Sequence, residues 1–178
     1  GNLQWQKTFG GEAFDALNAL VLSPDGGYLG VGSSNSQGGP ISTNHGSTDA
    51  WLFKLDAQGN LQWQKTFGGT AIDALFDLKI SAHGGYILTG YSTSTNGDLL
   101  GNRGEEDIWV VKLDLQGHLE WQTTFGSRRT DLGTCIENTA DGGYILTGYS
   151  NSNEGLFFRN YGDFDIWVLK LDALGNLQ

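Results

Sequence analysis

Residues 59–67, Gly-Asn-Leu-Gln-Trp-Gln-Lys-Thr-Phe, decide the fold, because the same phrase stands at a fixed distance on either side. Residues 1–9 repeat it letter for letter, residues 117–125 read Gly-His-Leu-Glu-Trp-Gln-Thr-Thr-Phe, and residues 175–178 open it once more as Gly-Asn-Leu-Gln. The step is 58 residues each time, and the copies 1–58, 59–116 and 117–174 align without a gap, with 22 of 58 positions identical. Self-similarity at a period of this size marks a repeat architecture, each unit being one supersecondary element.

The middle copy shows what the unit is. In 61–67, Leu61, Trp63 and Phe67 face one way while Gln62, Gln64 and Thr66 face the other, the period of two expected of a half-buried strand. Gly68-Gly69 ends it. A weaker strand is expected over 75–80. Then His83-Gly84-Gly85, Asp-Gly-Gly in the other copies, supplies a hairpin turn into 86–91. After a long polar segment, Ile108-Trp109-Val110-Val111 is apolar on both faces, which suits a strand covered from two sides. Asp114-Leu115-Gln116-Gly117 turns the chain into the next copy. Four strands per unit and no 3.6-residue period predict an all-β chain, a β-propeller built of four-stranded antiparallel blades. Repeat domains at 1–58, 59–116 and 117–174 follow, with 175–178 starting a further one.

Composition agrees. Gly is abundant at 28 of 178 residues, Pro is scarce at 2, and 6 Trp, 6 Tyr and 9 Phe are present. A net charge of −10 argues against nucleic acid and anionic membrane surfaces as partners, and no apolar run is long enough to span a bilayer. Cys135 is the one cysteine, so no disulfide forms within the chain, and its counterparts Ala19 and Asp77 show that the repeat does not require a thiol. The lack of Met at position 1 and of a basic-then-apolar leader predicts a processed or excised chain.

The phrases Asp-x-Trp-x-x-Lys-Leu-Asp-x-x-Gly-Asn-Leu-x-Trp-Gln and Asp-Gly-Gly-Tyr-x-x-x-Gly resemble a bacterial and archaeal β-propeller repeat family. The resemblance covers the whole chain. It implies a secreted or cell-surface protein and is specific for the blade rather than for an activity. The Leu-Asp-x-x-Gly-x-Leu-x-Trp hairpin is also similar to that of quinoprotein-type propellers, but the acidic and tryptophan ligands of a quinone-dependent dehydrogenase cannot be assigned here. Known propellers have at least four blades, so three predict either a longer array or a ring completed by other chains.

The polar segment keeps its length and anchors in all copies: Ser34, Ser36, Gly39, Asn44, Gly46 and Asp49, with counterparts 58 and 116 residues on. Constant length predicts an ordered loop. One reading has its Ser, Asn and Asp side chains bonded to backbone. The other is a hard-cation site, with Ca2+ as the ion, since Ca2+ takes carboxylate, amide and carbonyl oxygens in loops punctuated by Gly. Asp98, Asn102 and Asp107 in the second copy and Asn160, Asp163 and Asp165 in the third are the candidate ligands. Glu105, Glu106 and Glu154 lie nearby.

Asp15, Asp73 and Asp131 recur after the Phe-Gly corner, and Lys54, Lys112 and Lys170 in the last strand. An ion pair or turn cap in each unit is expected. A catalytic role is not, because the same acid would stand three times in equivalent places. The ladders Trp5, Trp63, Trp121 and Trp51, Trp109, Trp167 suit core packing, or sugar stacking if exposed. The loop residues Ile41, Leu99, Leu100, Leu156, Phe157, Phe158 and Tyr161 are candidates for partner contact. No nucleophile elbow, phosphate loop or zinc spacing occurs. The sequence reads as a non-enzymatic extracellular or cell-surface scaffold for adhesion, assembly or display. Its expected partners are copies of itself or further blades of the same polypeptide, joined head to tail. A carbohydrate-binding propeller is the alternative.

Overall fold

The computed structural model describes the chain apart from residues 39, 40, 42, 100 and 158, and apart from the side chain of residue 157. Gly39, Leu100, Phe158 and the ring of Phe157, singled out above, thus lie outside the described residues. Eleven strands form three antiparallel sheets. The first holds β1 (Asp15–Leu22), β2 (Tyr28–Ser34), β3 (Asp49–Leu55) and β4 (Leu61–Phe67), in that order. The second repeats it with β5 (Asp73–Ile80), β6 (Tyr86–Ser92), β7 (Asp107–Leu113) and β8 (Leu119–Phe125). The third has β9 (Asp131–Asn138), β10 (Tyr144–Ser150) and β11 (Asp165–Leu171). The only helical piece among the described residues is the 3-10 turn Gly155–Phe157.

The sheet boundary differs from the sequence repeat. The Trp-bearing strand that opens each copy is the last strand of the preceding sheet, so the first structural unit runs from Asp15 to Phe67. The reason lies in the turns. Gly59 and Gly117 take φ of 76° and 74°, closing the tight Asp-x-x-Gly hairpins that tie β3 to β4 and β7 to β8. Between Phe67 and Asp73, by contrast, the chain crosses to a new sheet. Residues 175–178 begin the missing fourth strand of sheet three, with Leu171 opposite Leu177 as Leu55 is opposite Leu61.

The tyrosine hairpins need their second glycine for proximity. A Cβ on Gly27, Gly85 or Gly143 would stand 2.0–2.1 Å from the carbonyl of Leu55, Leu113 or Leu171. The sheets pack side by side, β5 against β1, β2 and β3, and β9 against β5, β6 and β7. Leu29, Val31, Ala50 and Leu52 of the first sheet meet Leu75, Tyr86, Leu88, Trp109 and Val111 of the second. Ile87, Ile108 and Val110 of the second meet Ile136, Tyr144, Leu146, Trp167 and Leu169 of the third. A third cluster joins Ile41, Trp51, Phe53 and Leu55 to Phe9 and Tyr28. Trp51, Trp109 and Trp167 are buried, as core packing requires. Ile41 and Leu99 are also buried, which corrects the expectation that they face a partner: the first two loops each fold one apolar residue back under themselves.

Candidate functional site

The loop between the second and third strands of each sheet is held by one repeated set of bonds. Asn44, Asn102 and Asn160 donate from Nδ2 to the carbonyls of Ser34, Ser92 and Ser150 at 2.8, 2.7 and 2.9 Å. Their Oδ1 atoms accept the amides of Gly46, Gly104 and Gly162 at 2.9, 2.9 and 2.8 Å. Asp49, Asp107 and Asp165 accept the amides of His45, Arg103 and Tyr161, four residues back. Of the candidate metal ligands, Asn102, Asn160, Asp107 and Asp165 therefore all bond to backbone. Asp98 lies exposed, receiving the amide of Gly68 at 3.3 Å, and Asp163 is exposed on its loop. Glu105 and Glu106 accept the Thr130 hydroxyl, and Glu154 the amide of Arg128. Among the described residues no group of three or more His, Cys, Asp or Glu converges as a metal-binding set.

Asp15, Asp73 and Asp131 cap the corner before each first strand. Asp73 accepts the Ser94 hydroxyl at 2.7 Å and the Gly69 amide at 2.8 Å, and its other oxygen takes Ser92. Asp15 and Asp131 are held alike, by Ser34 with Ser36 and by Ser150 with Ser127. The recurring lysines take different acids. Lys54 pairs with Asp25 at 2.7 Å, Lys112 with Glu120 at 2.7 Å and Lys170 with Asp141 at 2.8 Å. In the second sheet His83 stands where the others have Asp, and Glu120 stands where Gln62 and Gln178 do. The carboxylate has moved across the site while its number stays at one. A bulge skips Gln62 and Glu120 in the ladder, which turns their side chains toward the lysine.

Buried carboxylates line both sheet junctions. Gly68 packs between Asp49 and Asp73: a Cβ there would lie 2.7 Å from an oxygen of each. At the next junction Asp107 faces Gly126 in the same way. Asp49 and Asp107 are wholly buried, and among the described residues the Oδ1 of each accepts no hydrogen bond. Burial pushes the Asp107 carboxyl up to about 6, with the charge of Asp131 adding to it. Burial also raises Asp49 and Asp131.

Both end faces expose apolar side chains. In the third sheet Ile166 is 84% and Val168 61% exposed, whereas Ile108 and Val110, their counterparts one repeat earlier, are wholly buried against sheet three. In the first sheet Leu17 is 48% and Leu20 49% exposed, whereas Leu75 and Leu78 are buried against sheet one. An open hollow of about 250 Å³, lined by Ser150, Asn160, Asp165, Ile166 and Trp167, marks the uncovered third face. Leu156 also lines it, and Tyr161 of the same loop is exposed. Sequence reading foresaw head-to-tail joining but took its contact residues from the loops. The signal it missed was position: a residue buried twice inside an array is exposed at the terminal copy.

Fold and faces together define an all-β protein of three repeated antiparallel sheets with apolar surfaces at both ends. No protein-family model and no curated protein matches the chain.

Proposed function

We propose that the chain is a non-enzymatic β-propeller scaffold of a secreted or cell-surface protein, serving adhesion, assembly or display, whose end faces join head to tail with further blades. One observation carries the reading: Ile166 and Val168 are open to solvent while Ile108 and Val110, in the same register, are closed. Exposed contiguous apolar surface of this kind marks an interaction site. The faces at the two ends are complementary rather than identical, because each internal junction pairs one kind with the other. Such contacts are heterologous and propagate to a ring or a filament. The buried Trp51, Trp109 and Trp167 are unavailable for sugar stacking, which leaves a glycan-binding role only the partly exposed Trp5, Trp63 and Trp121.

The test is sedimentation of the wild type against Ile166→Asp. The isoleucine side chain is open to solvent, so the variant folds. The reading requires the wild type to associate and the variant to run as one chain. Equal sedimentation of both at the one-chain value would reject it, and a glycan array with several equivalent weak sites would favour the lectin.

A further inference from the structure

All four arginines of the chain stand in loops at one end of sheets two and three. Arg103 lies between β6 and β7, Arg128 and Arg129 between β8 and β9, and Arg159 between β10 and β11. The register brings these links to the same end, since Ser92 is opposite Asp107, Ile108 opposite Phe125 and Ser150 opposite both Asp131 and Asp165. A chain of net charge −10 thus gathers one kind of cation on one rim.

Backbone contacts at the junction of these two sheets bring Arg103 and Arg128 together. The Asn102 side chain accepts the Gly104 amide, and a Cβ on Gly104 would lie 2.5 Å from the Cα of Arg128. The Arg103 amide is bound to Asp107 at 2.9 Å and the Arg128 amide to Glu154 at 3.2 Å. The first junction has the same frame, with Gly46 as close to Thr70, but its two positions carry His45 and Thr70. The fold therefore requires the close approach and not the arginines. Arg103 and Arg128 line a hollow of about 240 Å³ with Gly126, Ser127, Glu154 and Gly155. Among the described residues neither guanidinium is in an ion pair. Ser127 is committed, its hydroxyl donating to Asp131 and accepting the Arg129 amide. The hollow thus offers two guanidinium groups as donors and the exposed Glu154 carboxylate as an acceptor.

We infer that this hollow binds an acidic sugar, whose carboxylate bridges Arg103 and Arg128 while a hydroxyl donates to Glu154. A guanidinium presents paired N–H donors that match the two oxygens of a carboxylate. Two like charges in one hollow repel, and an anion between them removes that cost. The acid in the lining sets the class of ligand. It repels a dianion such as sulfate or phosphate, and it accepts from a neutral hydroxyl. A single carboxylate on a hydroxylated skeleton meets both conditions. The site does not depend on how the end faces join, and it gives the proposed scaffold a ligand of its own. Unlike a sugar site repeated in every blade, it uses no tryptophan and belongs to the second junction alone, where both arginines occur.

Titration of the full chain with glucuronate, followed through its backbone amide signals by NMR, tests the site. Saturable binding is expected, with the shifted signals in the stretches around Arg103, Arg128 and Glu154. Glucose, which lacks the carboxylate, and inorganic sulfate, which lacks the hydroxyls, should each bind about tenfold more weakly or worse. Arg103→Gln and Arg128→Gln should each weaken glucuronate binding by about tenfold or more. Both side chains are exposed, so the substitutions spare the fold. Glu154→Gln, also at an exposed position, should narrow the gap between glucuronate and sulfate. No saturable binding to the wild type, or binding that both arginine variants retain, would overturn the site. Sulfate binding as tightly as glucuronate, or a gap that Glu154→Gln leaves unchanged, would overturn its assignment to a sugar.

Discussion

At Asp107 the physics of one residue becomes a property of the junction. Its carboxyl is buried, one oxygen has no hydrogen-bond partner among the described residues, and its pKa is pushed up to about 6. A carboxyl whose folded pKa exceeds its unfolded value stabilises in its protonated form. That contribution is complete below about pH 4 and lost as pH rises through about 6. A rise of this size corresponds to about 3 kcal/mol at most. Asp49 and Asp131 act in the same direction. Asp25 and Asp141 oppose them, because their bonds to Lys54 and Lys170 hold both carboxyls low, and protonating them at acid pH releases the pairs. Thermal unfolding should therefore show the highest stability at mildly acidic pH, roughly 4–5, with a decline toward neutrality that Asp107→Asn flattens. A stability flat from about pH 5 to 7 in the wild type would contradict this. The lysine sites allow a second test. Glu120→Gln should destabilise sheet two by about 1–2 kcal/mol, the low end for a hydrogen bond between charged groups because Glu120 is half exposed. Adding His83→Asp, which restores the acid where sheets one and three carry it, should recover most of the loss in urea unfolding. Absence of rescue would mean that the acid's place matters beyond its charge.

Strands and loops were the scale most open to sequence reading. Alternation in 61–67 and the Asp-Gly-Gly turns located the strands within a residue or two, since both signals are local, but the same phrase at residues 1–9 forms no strand, because among the described residues no strand stands beside it. The Asn-x-Gly-x-x-Asp ending marked a repeated set of bonds, its Asn and Asp side chains being held to backbone. Two things stayed hidden. The partner of Lys112 could not be read, because β7 meets it through a bulge at Glu120 that no alternation reveals. Nor could the inward turn of Ile41 and Leu99, which depends on a space beneath the loop. Because Asn102 and Asn160 are committed to backbone, chelator is expected to leave the melting curve unchanged. A clear rise in melting temperature on adding Ca2+ would assign these loops a metal. Trp109 fills the centre of a sheet junction with its indole donating to Gln122 at 2.7 Å. Trp109→Ala should cost about 3–5 kcal/mol, read by denaturant unfolding. Trp5→Ala, at a half-exposed ring, should cost far less.

Across the whole molecule, every internal junction is made twice by equivalent residues: a serine to a tyrosine, a tryptophan on a turn glycine, an aliphatic face against the next sheet. The terminal sheets keep one half of that junction each, and among the described residues nothing covers the Ile166–Val168 face or the Leu17–Leu20 face as the internal faces are covered. In the proposed propeller, three sheets turn through part of a circle, and two chains joined at both ends make a six-bladed ring. Static light scattering at low concentration decides between an open and a satisfied molecule. The proposed ring requires a species of about 38 kDa, two chains of 19.2 kDa each, that persists on dilution. A well-folded species at the mass of one chain would show that the open faces satisfy themselves and would rule the ring out.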